Sequence, residues 1–294
     1  MLKNNIKFIA EVSSNHNRNL NRCKKFIDVA KHIGCYAVKF QLFEINQLFS
    51  KEVLKRSKNH LNRKKWELPK NFLKKLYNYS RKKKIKIGCT PFYIDAVDEL
   101  EKYIDFYKIA SYELLWEDLF LKCIEKKKEV IFSTGMANNK EIQKALKIFK
   151  KKRYNNFSIL RCNSNYPTIA EESNLKSIQT LRNETKKKFK KKIKIGWSDH
   201  TKEPGVILRA IHKYNAEIIE FHLDLDKKGK EFKFGHCWLP NEIEQVIKLV
   251  NMGLVSDGNG KLLPSKSELN ERLWRADPKD GLRPIKKIRN RIFK

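Results

Sequence analysis

The sequence predicts an α/β protein: a (β/α)8 TIM barrel followed by a short C-terminal tail. Short β-branched or aromatic runs alternate eight times with longer runs of helical period, and polar residues gather where each apolar run ends. At 294 residues the chain is long enough, since such a barrel takes about 250. Ile9 and Val12 mark the first strand, 7–13, and its helix is 20–33. Val38 and Phe40 mark the second, 36–42, followed by a polar loop and the helix 71–81. Ile85 and Ile87 open the third strand, 85–92, with helix 96–103; Phe106 and Ile109 the fourth, 106–111, with helix 118–127. Val130 and Ile131 open the fifth, 130–135, with helix 140–151; Phe157 and Ile159 the sixth, 157–164, with helix 175–189. The seventh pair is 193–199 and 205–214, around Ile193 and Ile195; the eighth is 216–225 and 241–252, around Ile218 and Ile219. Residues 1–252 thus form the barrel. Residues 253–294 form a tail expected to pack on the barrel or on a partner through Leu273, Trp274 and Leu282. A doubly wound sheet would want a glycine-rich phosphate turn after its first strand, and the chain has neither GxGxxG nor GxxxxGK[ST].

Lys and Arg number 65 against 33 Asp and Glu, a formal net charge of +32. That balance suits a nucleic acid or a membrane surface. Position argues for solvated faces instead. The basic runs at 81–84, 126–128, 150–153 and 186–192 each end an amphipathic stretch, where cations complement the helix dipole. No nucleic-acid partner is therefore expected. No apolar run approaches the roughly 20 residues of a membrane span, and residues 1–10 show no small-residue cleavage site. The six cysteines, without CxxC, read as reduced, inert thiols. Together these features predict a cytoplasmic protein.

In a barrel, the strand ends meet around one rim, the C-terminal face where such enzymes work. They carry Glu11, Lys39, Thr90, Lys108, Ser111 with Glu113 beyond, Ser133, Ser164, Ser198 with His200, and Glu220 with His222. Burying a lysine in a strand costs several kcal/mol unless it is paired. Two strands do so, at Lys39 and Lys108, with hydroxyl residues on neighbouring strands, and this describes an anion pocket for a phosphate or carboxylate. His200 and His222, ending consecutive strands, could either share a divalent transition metal or be hydrogen-bonded core histidines. Glu11 and Glu113 are candidate acid–base groups that could equally pair with the lysines. His16 and His236 lie near the rim without a defined role.

Eight segments carry a resemblance: IAEVSSNH (9–16), AVKFQ (37–41), TPF (90–92), YKIASYE (107–113), STGM (133–136), CNSNYP (162–167), IGWSDHT (195–201) and EFHLDLD (220–226). In this order, each at a strand end, the chain resembles the N-acetylneuraminate (sialic acid) synthase family, which includes legionaminate and pseudaminate synthases. The resemblance implies a (β/α)8 barrel that condenses phosphoenolpyruvate with the open-chain aldehyde of an N-acylated amino sugar, such as N-acetylmannosamine. The products would be a nine-carbon 2-keto acid and phosphate. It implies a divalent metal, typically manganese, held by His200 and His222. Lys39, Thr90, Lys108, Ser111, Ser133 and Ser198 match positions that hold phosphoenolpyruvate, with Ser164 near its phosphate. Glu11 matches a carboxylate near the metal and its water, and Glu113 one placed for proton transfer. A homodimer is also implied.

Three departures bear on the sugar side. The family's C-terminal antifreeze-like domain, which supplies an arginine to the partner's sugar site, is not among these residues; Arg272, Arg275 and Arg283 of the tail are the candidates to stand in. The stretch FGHCWLP (234–240) keeps His236 but has Gly235 where an Asp is expected. HLDLD (222–226) replaces the more usual HFTLD.

Overall fold

The computed structural model describes residues 6–292, which divide into two compact units at Leu254/Val255. The first is a closed barrel of eight parallel strands in sequence order. The strands are β1 (Lys7–Glu11), β2 (Ala37–Leu42), β3 (Lys86–Pro91), β4 (Phe106–Ile109), β5 (Glu129–Ser133), β6 (Phe157–Cys162), β7 (Lys194–Asp199) and β8 (Ile218–His222). The helices are α1 (Leu20–His32), α2 (Ile45–Leu48), α3 (Lys51–Arg56), α4 (Lys58–Leu61), α5 (Leu73–Lys82), α6 (Ile94–Leu100), α7 (Glu117–Glu125), α8 (Asn139–Lys151), α9 (Ser177–Lys188), α10 (Pro204–His212) and α11 (Pro240–Ser256).

Several strands stop two residues short of the apolar pattern on the rim side. β1 ends at Glu11 and not at residue 13, β4 at Ile109 and not at 111, β6 at Cys162 and not at 164. There the ladder gives way to local bonds. Ser13 takes a positive φ of 47° and its N–H turns back to Glu11 Oε1 (2.8 Å); the Gly135 N–H goes to Ser111 Oγ (3.0 Å). Ser13 and Ser164 consequently stand on loops, and Ser111 and Glu113 on a 3-10 turn, Ser111–Glu113. The expected polar loop after β2 instead holds α2, α3, α4 and two 3-10 turns. Its missed signal was capping: Ser50 Oγ accepts from the Val53 N–H and Ser57 Oγ from the His60 N–H.

The helices bury one face each. α8 begins with a capping box, Asn138 with Glu141, and packs Ala145, Leu146, Ile148 and Phe149 inward. Phe149 stacks on Phe157 at 4.1 Å, inside an aromatic cluster with Phe120, Phe132 and Phe189. The lysine runs fall in the turns from α5 to β3, α7 to β5, α8 to β6 and α9 to β7, at the end of the barrel opposite His200 and His222. No helix among the described residues is long and apolar enough to cross a membrane.

The barrel interior is closed by an apolar plug of Ile9, Ala37, Phe106, Ile131, Leu160 and Ile218. Gly88 and Gly196 complete it by leaving space. A Cβ at Gly88 would lie 2.2 Å from the Phe106 ring, and one at Gly196 2.2 Å from the Ile218 carbonyl oxygen.

The second unit, from Val255, holds two 3-10 turns (Lys266–Glu268 and Glu271–Trp274) and helix α12 (Lys286–Ile292). Asp277 accepts from the N–H groups of Lys279 and Lys286, and Arg289 forks onto Asp280 at 2.7 and 2.8 Å. Arg272, Arg275 and Arg283 belong to this unit.

Candidate active site

Side chains alternate across a strand, so the residue two beyond each plug position also points into the barrel. Those residues are Glu11, Lys39, Thr90, Lys108, Ser133, Cys162, Ser198 and Glu220, all buried. The apolar plug therefore carries a polar layer directly above it, made of seven polar residues and a thiol. Six of these eight were predicted site residues.

Two lysines and two carboxylates organise this layer. Lys39 Nζ contacts Glu11 and donates to Thr90 Oγ1 at 3.2 Å. Lys108 Nζ donates to Ser133 Oγ and to the Ile109 carbonyl oxygen at 3.1 Å. Glu220 sits between the lysines, one oxygen 3.7 Å from each, and accepts from Ser198 Oγ at 3.0 Å. Burial opposes the charge on Glu220, yet Lys108 and Lys39 hold its carboxyl down at about 2. Burial pulls the Lys108 ammonium below its ordinary value, against the pull of Glu220. Lys39 is also penalised by burial, but Glu11 and Glu220 outweigh this and hold it up. Burial pushes Glu11 up to about 7 in spite of Lys39, with Glu220 adding repulsion. The layer thus pairs two cations with one firmly ionised carboxylate and one that titrates near neutrality, which leaves it receptive to an anion.

The rim above is histidine-rich. His200 follows β7, where Asp199 locks the strand end by accepting from Trp197 Nε1 (3.0 Å), Trp238 Nε1 (3.1 Å) and Thr201 Oγ1 (2.7 Å). His222 ends β8, level with Glu11 of β1. Its ring centroid lies 5.2 Å from that of His200. The segment around Trp238 runs beside the end of β8, with Trp238 N–H on the His222 carbonyl oxygen (2.8 Å), and this brings His236 against His222 with centroids 4.6 Å apart. Tyr166 covers the group, 4.1 Å from His200 and 4.9 Å from His236.

Hydrogen bonds define which nitrogens are free. His200 Nδ1 faces the Asn163 carbonyl oxygen at 2.6 Å, and His222 Nδ1 faces Glu231 Oε2 at 3.1 Å. Each ring therefore turns its Nε2 away from these partners. One imidazole backed by a carbonyl and one by a carboxylate is the donor set that divalent transition metals take, so the two predicted ligands fit a metal. Glu231, His236 and Cys237 stand behind them; their ligand atoms and that of His222 all lie within 4.8 Å of one another.

The HLDLD departure is also resolved. Asp224 is fully buried, accepting from Arg22 Nη2 (2.7 Å) and from the Gly229 N–H (3.2 Å). A Cβ at Gly229 would lie 2.4 Å from Asn15 and Asp224. The extra aspartate thus straps down the 223–231 loop.

Beside the lysines, Ser111 and Ser164 flank Gly135, where a Cβ would lie 2.1 Å from Ser164 Oγ and 2.8 Å from Ser111 Oγ. Ser164 Oγ is buried with no hydrogen-bond partner among the described residues, as is Glu113 Oε2. Burial pushes Glu113 up to about 7, partly offset by Lys108. A cavity of about 370 Å³ opens here, lined by Met136, Arg161, Cys162, Asn163 and Ser164 among others.

Glu220 and Glu231 are the residues that the sequence reading noted without a role or missed. Glu220 had a signal: it lies two residues before His222 and so shares its face. Glu231 had none. All six cysteines are free and buried. Burial raises the thiols of Cys23, Cys35, Cys89, Cys123 and Cys237, in keeping with inert groups. Cys162 differs, with Sγ 3.8 Å from His200 Nδ1.

The model of the NeuB family matches residues 26–261. N,N'-diacetyllegionaminic acid synthase of Campylobacter jejuni is 32% identical over 273 residues, covering 88% of this chain and 80% of the relative. Pseudaminic acid synthase of the same species is 29% identical over 279 residues, covering 90% and 79%. The crystal structure of N-acetylneuraminic acid synthetase from Leptospira borgpetersenii superposes with a TM-score of 0.76 at 30% identity, covering 98% of this chain and 93% of that one. With the family model matching residues 26–261 and a relative 32% identical over 88% of this chain, the chain belongs to the NeuB family.

Proposed function

We propose that this NeuB-family synthase condenses phosphoenolpyruvate with the open-chain aldehyde of an N-acylated amino sugar, releasing phosphate, in a metal-dependent reaction in the cytoplasm. The observation that carries the proposal is the pair of buried lysines, Lys39 and Lys108, bracketing Glu220 beneath the His200–His222 rim. Two cations at this depth suit a small substrate that bears both a carboxylate and a phosphate. The names of the relatives point to nonulosonic acids as the product class.

The residues then divide the work. Lys39 and Lys108 bind the substrate's anionic groups, while Thr90, Ser133 and Ser198 direct hydroxyls at them. Ser111 and Ser164, brought close together over Gly135, hold the phosphate; Ser164 Oγ, without a hydrogen-bond partner among the described residues, is the group that meets it. A divalent metal, manganese by resemblance, would be held by His200 and His222 and would supply a Lewis acid for the sugar carbonyl. Carbon 3 of phosphoenolpyruvate forms a bond to the aldehyde carbon, whose oxygen takes up a proton. Water adds at carbon 2 and loses one proton, which offsets the proton taken up by the sugar oxygen; the carbon 2 carbonyl then forms as the C–O bond to phosphate breaks, and the second proton leaves with the phosphate. Glu11, beside the end of β8, orients that water. Glu113 carries the proton for the sugar oxygen. Fixing two reactants in one geometry supplies much of the rate.

Glu113 gives a pH prediction. Its raised value keeps it protonated up to about pH 7, so activity should fall as pH rises through that point. In Glu113→Gln the alkaline limb near pH 7 should vanish, with kcat about 100-fold lower or worse. The pH profile of phosphate release checks it. The stability contribution has the same sign: it is present below the ordinary carboxyl range and lost as pH passes about 7.

The direct test incubates the protein with phosphoenolpyruvate, Mn2+ and a panel of 2-acetamido sugars and measures phosphate. Release that requires one sugar and stops with chelator supports the proposal. A protein that neither binds phosphoenolpyruvate nor releases phosphate with any sugar overturns it.

A further inference from the structure

We propose that Glu231 is the positioning carboxylate of this centre: it fixes the tautomer and aim of His222, and so sets how tightly the protein holds a divalent metal. The inference rests on the metal-dependent reading above and adds to it a residue outside the predicted set.

Glu231 is clamped on every side. Its N–H donates to Asn15 Oδ1 at 2.8 Å. One carboxylate oxygen accepts from Ser13 Oγ; the other lies 3.1 Å from His222 Nδ1 and 3.6 Å from His236 Nε2. The loop that carries it is itself strapped, by Arg22 on Asp224 and by the close approach at Gly229. The side chain is only 15% exposed, and the basic side chains within 4 Å of its carboxylate among the described residues are two imidazoles, with no lysine or arginine. A carboxylate in such surroundings needs positive charge near it. A cation on the far nitrogen of His222 supplies that charge through the ring, and the carboxylate makes the ring a better ligand. Gly235, directly before His236, has no side chain to offer, so Glu231 is the acid that serves both histidines.

The alternative is direct ligation by Glu231 together with Cys237, whose Sγ accepts from Asn15 Nδ2 at 3.4 Å. The two arrangements separate by experiment, with the full chain and Mn2+ or Co2+ as the probe. Calorimetric titration should show Mn2+ binding to Glu231→Gln weakened by about 10–100-fold, with phosphoenolpyruvate binding to the metal-free protein unchanged. Glu231→Asp, which keeps the charge, should fall between the two, and it serves as the test where the glutamine variant does not fold. Ser13→Ala, which removes only the second clamp, should bind Mn2+ nearly as the wild type does. Wild-type affinity in both Glu231 variants would overturn the assignment and make Glu231 a loop strap. A thiolate charge-transfer band in the Co2+ complex that disappears in Cys237→Ser would also overturn it, in favour of direct ligation. Metal binding that responds to Glu231 in a protein with no phosphate release from any sugar would sink the synthase reading alone. A wild type that binds no divalent metal would sink both.

Discussion

Lys108→Ala is expected to lose at least about 30-fold in phosphoenolpyruvate affinity, because truncating one member of a buried charge pair removes 2–5 kcal/mol or more. The lysine meets Ser133, the Ile109 carbonyl and Glu220 at the centre of the polar layer. Its loss strands part of Glu220's charge, and breaking a buried pair outright costs roughly 3–5 kcal/mol. Lys39 remains 3.7 Å from Glu220, so the fold should persist with a reduced melting temperature. Lys108→Met, closer in volume, separates packing from charge. Binding by calorimetry beside a thermal melt makes the distinction. Ordinary phosphoenolpyruvate turnover in either variant would remove the central support for the proposed reaction.

His222→Ala is the second large effect. It takes away a proposed ligand and leaves Glu231 facing only His236 and Ser13. Mn2+ affinity should fall by more than the ~10–100-fold expected for an outer-shell change, and residual phosphate release should no longer respond to chelator. Burial holds the His222 imidazolium down to about 3, which favours the neutral ring that a metal takes. A variant whose metal affinity equals that of the wild type would end the ligand role of His222.

Much of this was legible in the chain. The eight strand–helix units follow from the change of period between two and 3.6, which depends only on local sequence. The site residues follow from the same alternation: Ile9 to Glu11, Ala37 to Lys39, Phe106 to Lys108 and Ile131 to Ser133 each step from plug to polar layer. What was not legible depends on which strands face one another across the barrel. Glu220 is an unremarkable strand glutamate until β2 and β4 aim their lysines at it. Glu231 lies nine residues past His222 in a loop whose path is set by Arg22, Asn15 and Gly229, contacts that no spacing rule contains. The helices after β2 were hidden because their cores are too short for periodicity and only their serine caps announce them.

The apolar plug has a kinetic consequence. It closes the barrel from below, so whatever reaches the lysine layer enters from the rim, the end that carries the histidines. A ligand lodged at His200 and His222 would stand in the doorway of anything still to reach Lys39 and Lys108. The deeper reactant must therefore arrive first and its remnants leave last. Steady-state kinetics should be sequential and ordered, with phosphoenolpyruvate leading, the sugar following, and excess sugar slowing turnover by closing the entrance on an empty floor.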